Sequence, residues 1–441
     1  MTDVLAARLQ FAFAAITHGL FASTTIGLIV VIAVLQTLAT RRRDPALLAV
    51  ARAWATPYVV VYVCGIAAGM VLEVQFGLSW AGLVDRAGNV VGAPLTVEVL
   101  TTFIAESTLL ALWTFGWGVI GPRLHLALVW GVVVTAVLSV FWSLAANSFL
   151  QHPRGFELVD STVVLTDLPA MLTGATVWIA LVHVLGASLM VGGTLVAGVG
   201  AVGLRARPAG HPAAATGGVD VGVTADPQVR LRLAVLSVRW GMAVAGGGGV
   251  VAVIAGLQSL TYLRDTQPGK ALTLGQGSFE RAAVVAELQR RYGEGSWLPP
   301  AWLLAPALLM VLIGFAVTGV AVWVLAGGED GRPRDASLVV RLLPWSAVAT
   351  YLAVVCGWLV REVGRQPWVV YGLLRTSEAV TPVGPVRAWV TLLVVALTCL
   401  VTAVTAVVLA RRVGRIAQRR LADPDDVADV VQPATGPGLQ P

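Results

Sequence analysis

Residues 358–368 read W-L-V-R-E-V-G-R-Q-P-W and close an apolar run that begins near residue 341. On a helix Trp358 and Glu362 stand four residues apart and share one side, and Arg365 follows one turn later. Pro367 ends the regular helix, because proline has no N–H to donate and restricts the residue before it. A large flat aromatic beside a carboxylate and an arginine suits the wall of a flat, anionic, metal-bearing cofactor. Interfacial tryptophan with a salt bridge at a helix end accounts for the same letters more simply. The rest of the chain decides between the two.

The chain has 441 residues, 57% hydrophobic and 12% charged, whereas soluble proteins carry about a quarter charged residues. Its apolar residues fall in runs of about 20 or more, the length a helix needs to cross a bilayer. The expected fold is all-α: a polytopic membrane protein with about nine transmembrane helices. The spans fall near residues 15–39, 54–75, 94–120, 124–147, 173–204, 234–260, 302–326, 341–362 and 387–410. Arg41–Arg43 and Arg52 follow the first span, and Arg205, Arg207, Arg230 and Arg232 the fifth. Arg332, Arg334 and Arg341 follow the seventh, and Arg411, Arg412, Arg415, Arg419 and Arg420 the ninth. All these clusters fall on one side, which the positive-inside rule makes cytoplasmic. The N-terminus then lies outside and the C-terminus inside. The net charge of +6 is thus a matter of topology, and no nucleic-acid partner is expected. No cleavable leader is expected either, since the first apolar stretch lacks a basic start. Residues 1–420 form one membrane unit with an outward loop at 261–300. Residues 421–441, acidic and containing proline and glycine, read as a disordered cytoplasmic tail.

Ionisable residues inside a membrane are costly and mark function. His18 stands in the first span, and Glu98 and Glu106 in the third. Eight residues apart, the two carboxylates lie within about 80° of each other on a regular helix, which suits a proton path or a polar cofactor edge. His183 lies well inside the fifth span, where Gly186 and Ser188 leave room for a bulky group to approach the backbone. Met310 in the seventh span is packing unless a partner such as His183 makes it an axial ligand. Asn147 and Gln151 fall near the outer surface. Lys270, in T-Q-P-G-K of the outward loop, is the only lysine in the chain, and its compact ammonium suits a quinol oxygen. The cysteines, Cys64, Cys356 and Cys399, form no C-x-x-C pair and read as small core residues.

Together these stretches resemble subunit I of the cytochrome bd quinol oxidases. The carriers are R-L-Q-F-A with His18, E-V-Q-F-G from Glu73, G-A-P-L-T-V-E with A-E-S-T, N-S-F-L-Q-H-P-R-G, the His183 span, and E-V-G-R-Q-P-W. The resemblance covers nearly the whole chain up to its tail. It implies that His183 and Met310 hold a low-spin heme b, and that His18 and Glu362 hold two high-spin hemes, one of b and one of d type. It implies that Glu98 and Glu106 serve the oxygen-reducing heme and its proton supply, and that Trp358 stands beside the high-spin pair. Arg8 and Arg365 then lie near heme propionates, with Gln366 as a further cofactor contact, and Lys270 belongs to the quinol site. The implied activity is quinol oxidation on the outer side and reduction of O2 to water, separating charge without a proton pump. The implied setting is a bacterial cytoplasmic membrane, with membrane lipid, a subunit II and a small single-span accessory subunit as partners. The quinol is menaquinol or ubiquinol.

Two positions depart from the family pattern. An arginine usually stands two residues before the methionine ligand, where this chain has Leu308. A glutamate usually stands five residues after the loop lysine, where it has Gly275, leaving Glu280 or Glu287 as substitutes. A relative carrying only b-type hemes, and a proton-coupled transporter using Glu98 and Glu106, are the rival readings. Five histidines, with His152 and His211 in loops, are too few for a heme–copper centre.

Overall fold

The computed structural model describes residues 2–205, 227–277, 280–327 and 336–420. His211, Arg207, Arg332, Arg334 and the tail after Arg420 lie outside the described residues. Among the described residues nine helical segments are long and apolar enough to cross a membrane, because only internally bonded backbone is tolerated in lipid. Two long helices open the chain, α1 (Thr2–Arg42) and α2 (Pro45–Ser79). Asp44 caps the second, its carboxylate accepting from the Ala46 amide at 2.9 Å, with Pro45 at the first helical position.

The third span begins earlier than its sequence suggests and is not uniform. It runs as α3 (Ala81–Val97), a π-helical turn over Glu98–Phe103, and α4 (Ile104–Phe115). Pro94, which lacks the helical N–H, precedes the wide turn. That turn breaks the 3.6-residue phase behind the expected 80° spacing of the two carboxylates. Glu106 is buried, with 6% exposure, whereas Glu98 is half-buried and accepts a hydrogen bond from the Ser139 hydroxyl.

Then come α5 (Pro122–Gln151), a hairpin of β1 (Phe156–Val159) and β2 (Thr162–Leu165), the short α6 (Leu168–Leu172), and α7 (Ala175–Arg205). Next, α8 (Pro227–Thr266) takes in the first six residues of the expected outward loop. The rest of that loop folds into α9 (Pro268–Thr273) and α10 (Arg281–Tyr292). The chain closes with α11 (Leu304–Ala326), α12 (Ala336–Val363), the hairpin β3 (Trp368–Val370) and β4 (Leu374–Arg375), α13 (Thr376–Ala379), and α14 (Pro385–Arg420). Both hairpins are antiparallel.

Lipid gives helices no hydrophobic reason to associate, so small residues that permit close approach do much of the packing. The hub is α7. A β-carbon on Gly193 would lie 2.4 Å from the Gly241 carbonyl oxygen of α8, and one on Gly186 2.7 Å from that of Gly248. Gly192 meets the Gly27 backbone of α1 as closely. The space expected around Gly186 is therefore filled by a neighbouring helix and not by a cofactor. Ser188 is buried, and its carbonyl oxygen is what a β-carbon on Gly27 would strike. At one end of the bundle Arg42 lies over Trp240, Arg52 over Trp117, and Arg232 pairs with Asp44 at 2.9 Å.

Candidate functional site

At the opposite end, α12 offers two adjacent sides to two different environments. Trp358, Glu362 and Arg365 line a cleft together with Arg8, Trp80 and Gln366. Consecutive helical residues diverge by about 100°, so Gly357 and Arg361 look elsewhere. A β-carbon on Gly357 would stand 3.2 Å from the Met310 sulfur.

His18 stands on α1, whose Ala12, Ala15 and Ile16 line the same cleft. Its Nδ1 is 3.2 Å from the Gly65 carbonyl oxygen of α2, and its ring covers Gly69, where a β-carbon would come within 3.1 Å. Trp358 is seated on Gly19, the neighbour of His18: its Nε1 lies 2.7 Å from where a β-carbon would be. His183 is held in the same way, with Nδ1 2.8 Å from the Ala252 carbonyl oxygen and the ring against Gly256. With Nδ1–H donating to a backbone carbonyl, each imidazole presents Nε2 as a lone pair, the arrangement common to metal-bound histidines. His183 on α7 and Met310 on α11 belong to a group of four helices completed by α8 and α12. No group of three His, Cys, Asp or Glu side chains converges among the described residues.

Glu362 sits in a dense polar shell. Its carboxylate accepts from Arg365 Nη2 at 2.7 Å and Asn147 Nδ2 at 2.9 Å. Arg361 bonds instead to the Asn147 side-chain oxygen and to Ser148 Oγ. Gln151 donates to the Arg361 carbonyl and is itself braced by Gln267. Glu362 keeps 18% of its side chain open, against 5% for Arg365. Nε and Nη1 of Arg365, and Nε1 of Trp80, are buried with no acceptor among the described residues. Leaving such a donor unmet costs about 1–3 kcal/mol, so the site suits an acceptor-rich anion. The cleft holds a cavity of about 100 Å³ and is open to the outside. The donors, the flat indole and the carboxylate fit a heme with its propionates.

Lys270 is not the free loop ammonium that its neighbourhood suggests. It is buried, with 6% exposure. Its stem crosses Gly364 so closely that a β-carbon there would lie 2.6 Å from Cε. Nζ donates to the Arg361 carbonyl at 3.3 Å. Burial, then the Arg361 guanidinium, pull its pKa from 10.5 down to about 7. Gly275 has φ +86° just beyond α9, a left-handed conformation that a glutamate adopts only with strain. Of its suggested substitutes, Glu287 pairs with Arg290, and Glu280 is exposed at the start of α10.

Trp368 stands outside the cleft. Past Pro367 the chain turns into β3, and Trp368 stacks on Trp297 at 5.3 Å with Tyr292 alongside and Arg375 over both indoles. The sequence places Asn147 and Gln151 near the outer surface without a role in the site, and gives none to Trp80 and Arg361. The first two are four residues apart on α5, a polar spacing in an apolar helix that was there to be read. Trp80 carries no such signal, since it falls at the break between two helices.

The family profile described as Cytochrome bd terminal oxidase subunit I matches residues 6–286 and 294–417. The chain is 26% identical over 411 residues to cytochrome bd ubiquinol oxidase subunit 1 of Bacillus subtilis (strain 168), covering 87% of each. It is 30% identical over 204 residues to cytochrome bd-II ubiquinol oxidase subunit 1 of Escherichia coli (strain K12), covering 46% of this chain and 40% of that one. Among solved structures it is similar in fold to the bd oxidase from Geobacillus thermodenitrificans. That likeness has a TM-score of 0.80 at 21% identity, over 94% of this chain and 99% of the other.

Proposed function

The chain belongs to the cytochrome bd terminal oxidase subunit I family, and from that premise we propose how its own residues serve quinol oxidation and O2 reduction. His183 and Met310 hold a low-spin heme b, and His18 and Glu362 hold high-spin hemes of b and d type. The hemes, when bound, would supply electron transfer from quinol and the reduction of O2 to water. The chain supplies position, charge and protons. Arg365 and Arg8 neutralise propionates at the outer end of the cleft, Trp80 and Gln366 offer polar contacts there, and Trp358 packs against Gly19 of α1. Glu98 and Glu106 relay protons from the cytoplasmic side, with Ser139 holding Glu98. Quinol is oxidised at the outer segment 267–300, where Lys270 acts from beneath, and its protons leave outside. Charge is thereby separated without a pump. A subunit II completes the complex, which lies in a bacterial membrane with its N-terminus outside.

The observation that carries this reading is the pair of buried Arg365 nitrogens with no acceptor among the described residues, beside the Glu362 carboxylate. The test is a dithionite-reduced minus air-oxidised spectrum of the purified complex, with pyridine hemochrome analysis. Bands of b type plus a red chlorin band support it. Bands of b type alone favour the variant without heme d, and absence of heme returns Glu98 and Glu106 to a transport role.

A further inference from the structure

Position 308, where the family pattern has an arginine, brings no charge to Met310. Leu308 is an uncharged side chain two residues before Met310 on α11. The neighbouring helix does bring one. Gly357 of α12 touches the Met310 sulfur, and Arg361 stands four residues later on the same side. Its guanidinium is fixed by neutral partners, the Asn147 side-chain oxygen and Ser148 Oγ. The nearby Glu362 carboxylate is engaged by Arg365 and Asn147. No ion pair of Arg361 is formed among the described residues.

We propose that Arg361 supplies, from α12, the positive charge at the His183/Met310 site that position 308 lacks, and so raises the potential of the heme held there. The inference rests on the reading of those two side chains as ligands of a low-spin heme. Its physics is simple. Reduction adds an electron, and a fixed positive charge in a medium of low dielectric favours the reduced form. The backbone carbonyl of Arg361 is also tied, by Lys270 and Gln151, so the charge sits on a rigid base.

The experiment is a potentiometric titration of the low-spin heme band in the purified complex, for wild type, Arg361→Gln and Arg361→Lys. The expected result is a midpoint shifted to lower potential in Arg361→Gln at unchanged heme content, with Arg361→Lys close to wild type. If Arg361→Gln does not assemble, Arg361→Met makes the same comparison. A neutral variant at the wild-type potential, or Arg361→Lys as low as the neutral variant, would overturn the proposal. His183→Ala separates the two ideas. If the low-spin band survives that change, the ligand assignment fails, independently of any role for the charge.

Discussion

Nε1 of Trp358 lies 2.7 Å from the place a β-carbon would occupy on Gly19, the residue after His18 in α1. The glycine is what lets α12 bring an aromatic against α1. Gly19→Val should push Trp358 out of the cleft and reduce the high-spin heme signals, leaving the low-spin signal in place. Difference spectra at matched protein concentration check this, and equal loss of both signals would contradict it.

Lys270 and Gly364 form a second such fit, with Cε 2.6 Å from a would-be β-carbon. Overpacking of this kind typically costs about 1–3 kcal/mol. Gly364→Ala should lower the thermal stability of the complex, and Lys270→Ala should partly relieve the clash in the double variant. A thermal double-mutant cycle measures the coupling; strictly additive changes would show that the two side chains do not meet.

The stack of Trp297 on Trp368 joins the outward segment to the end of α12. Truncating a buried tryptophan costs about 3–5 kcal/mol in a packed core. Trp297→Ala should therefore loosen residues 281–300 locally, raising their proteolysis rate well before the membrane helices respond. Protection unchanged from wild type would argue against a latch.

His152 gives a pH dependence of stability. Burial, then Arg154, hold its pKa below the ordinary 6.5. As the pH falls through 6.5 the unfolded chain takes up the proton first, so stability is lost on the acid side and regained as the pH rises. Melting curves from pH 7 down to 5 should show a steeper loss for wild type than for His152→Gln.

The nine spans were legible because length and apolarity are local properties, and α12 was legible because Trp358 and Glu362 keep helical spacing. The unseen features depend on what crosses from elsewhere. Nothing near Gly186 announces that Gly248 fills its space. Arg361 stands next to Glu362 in sequence, but neighbours in a helix diverge, and α5 claims it through Asn147. Lys270 was visible as the lone lysine, yet its burial follows from Gly364, almost a hundred residues away. The π turn after Pro94 changed the relation of Glu98 to Glu106 by altering the period on which the estimate depended.

The central claim is that α12 separates two cofactor sites, one on each side. Its most direct test compares reduced-minus-oxidised spectra of His183→Ala and Glu362→Gln complexes. The account predicts selective loss of the low-spin b band in the first and selective loss of high-spin signals in the second. Loss of the same bands in both would contradict it.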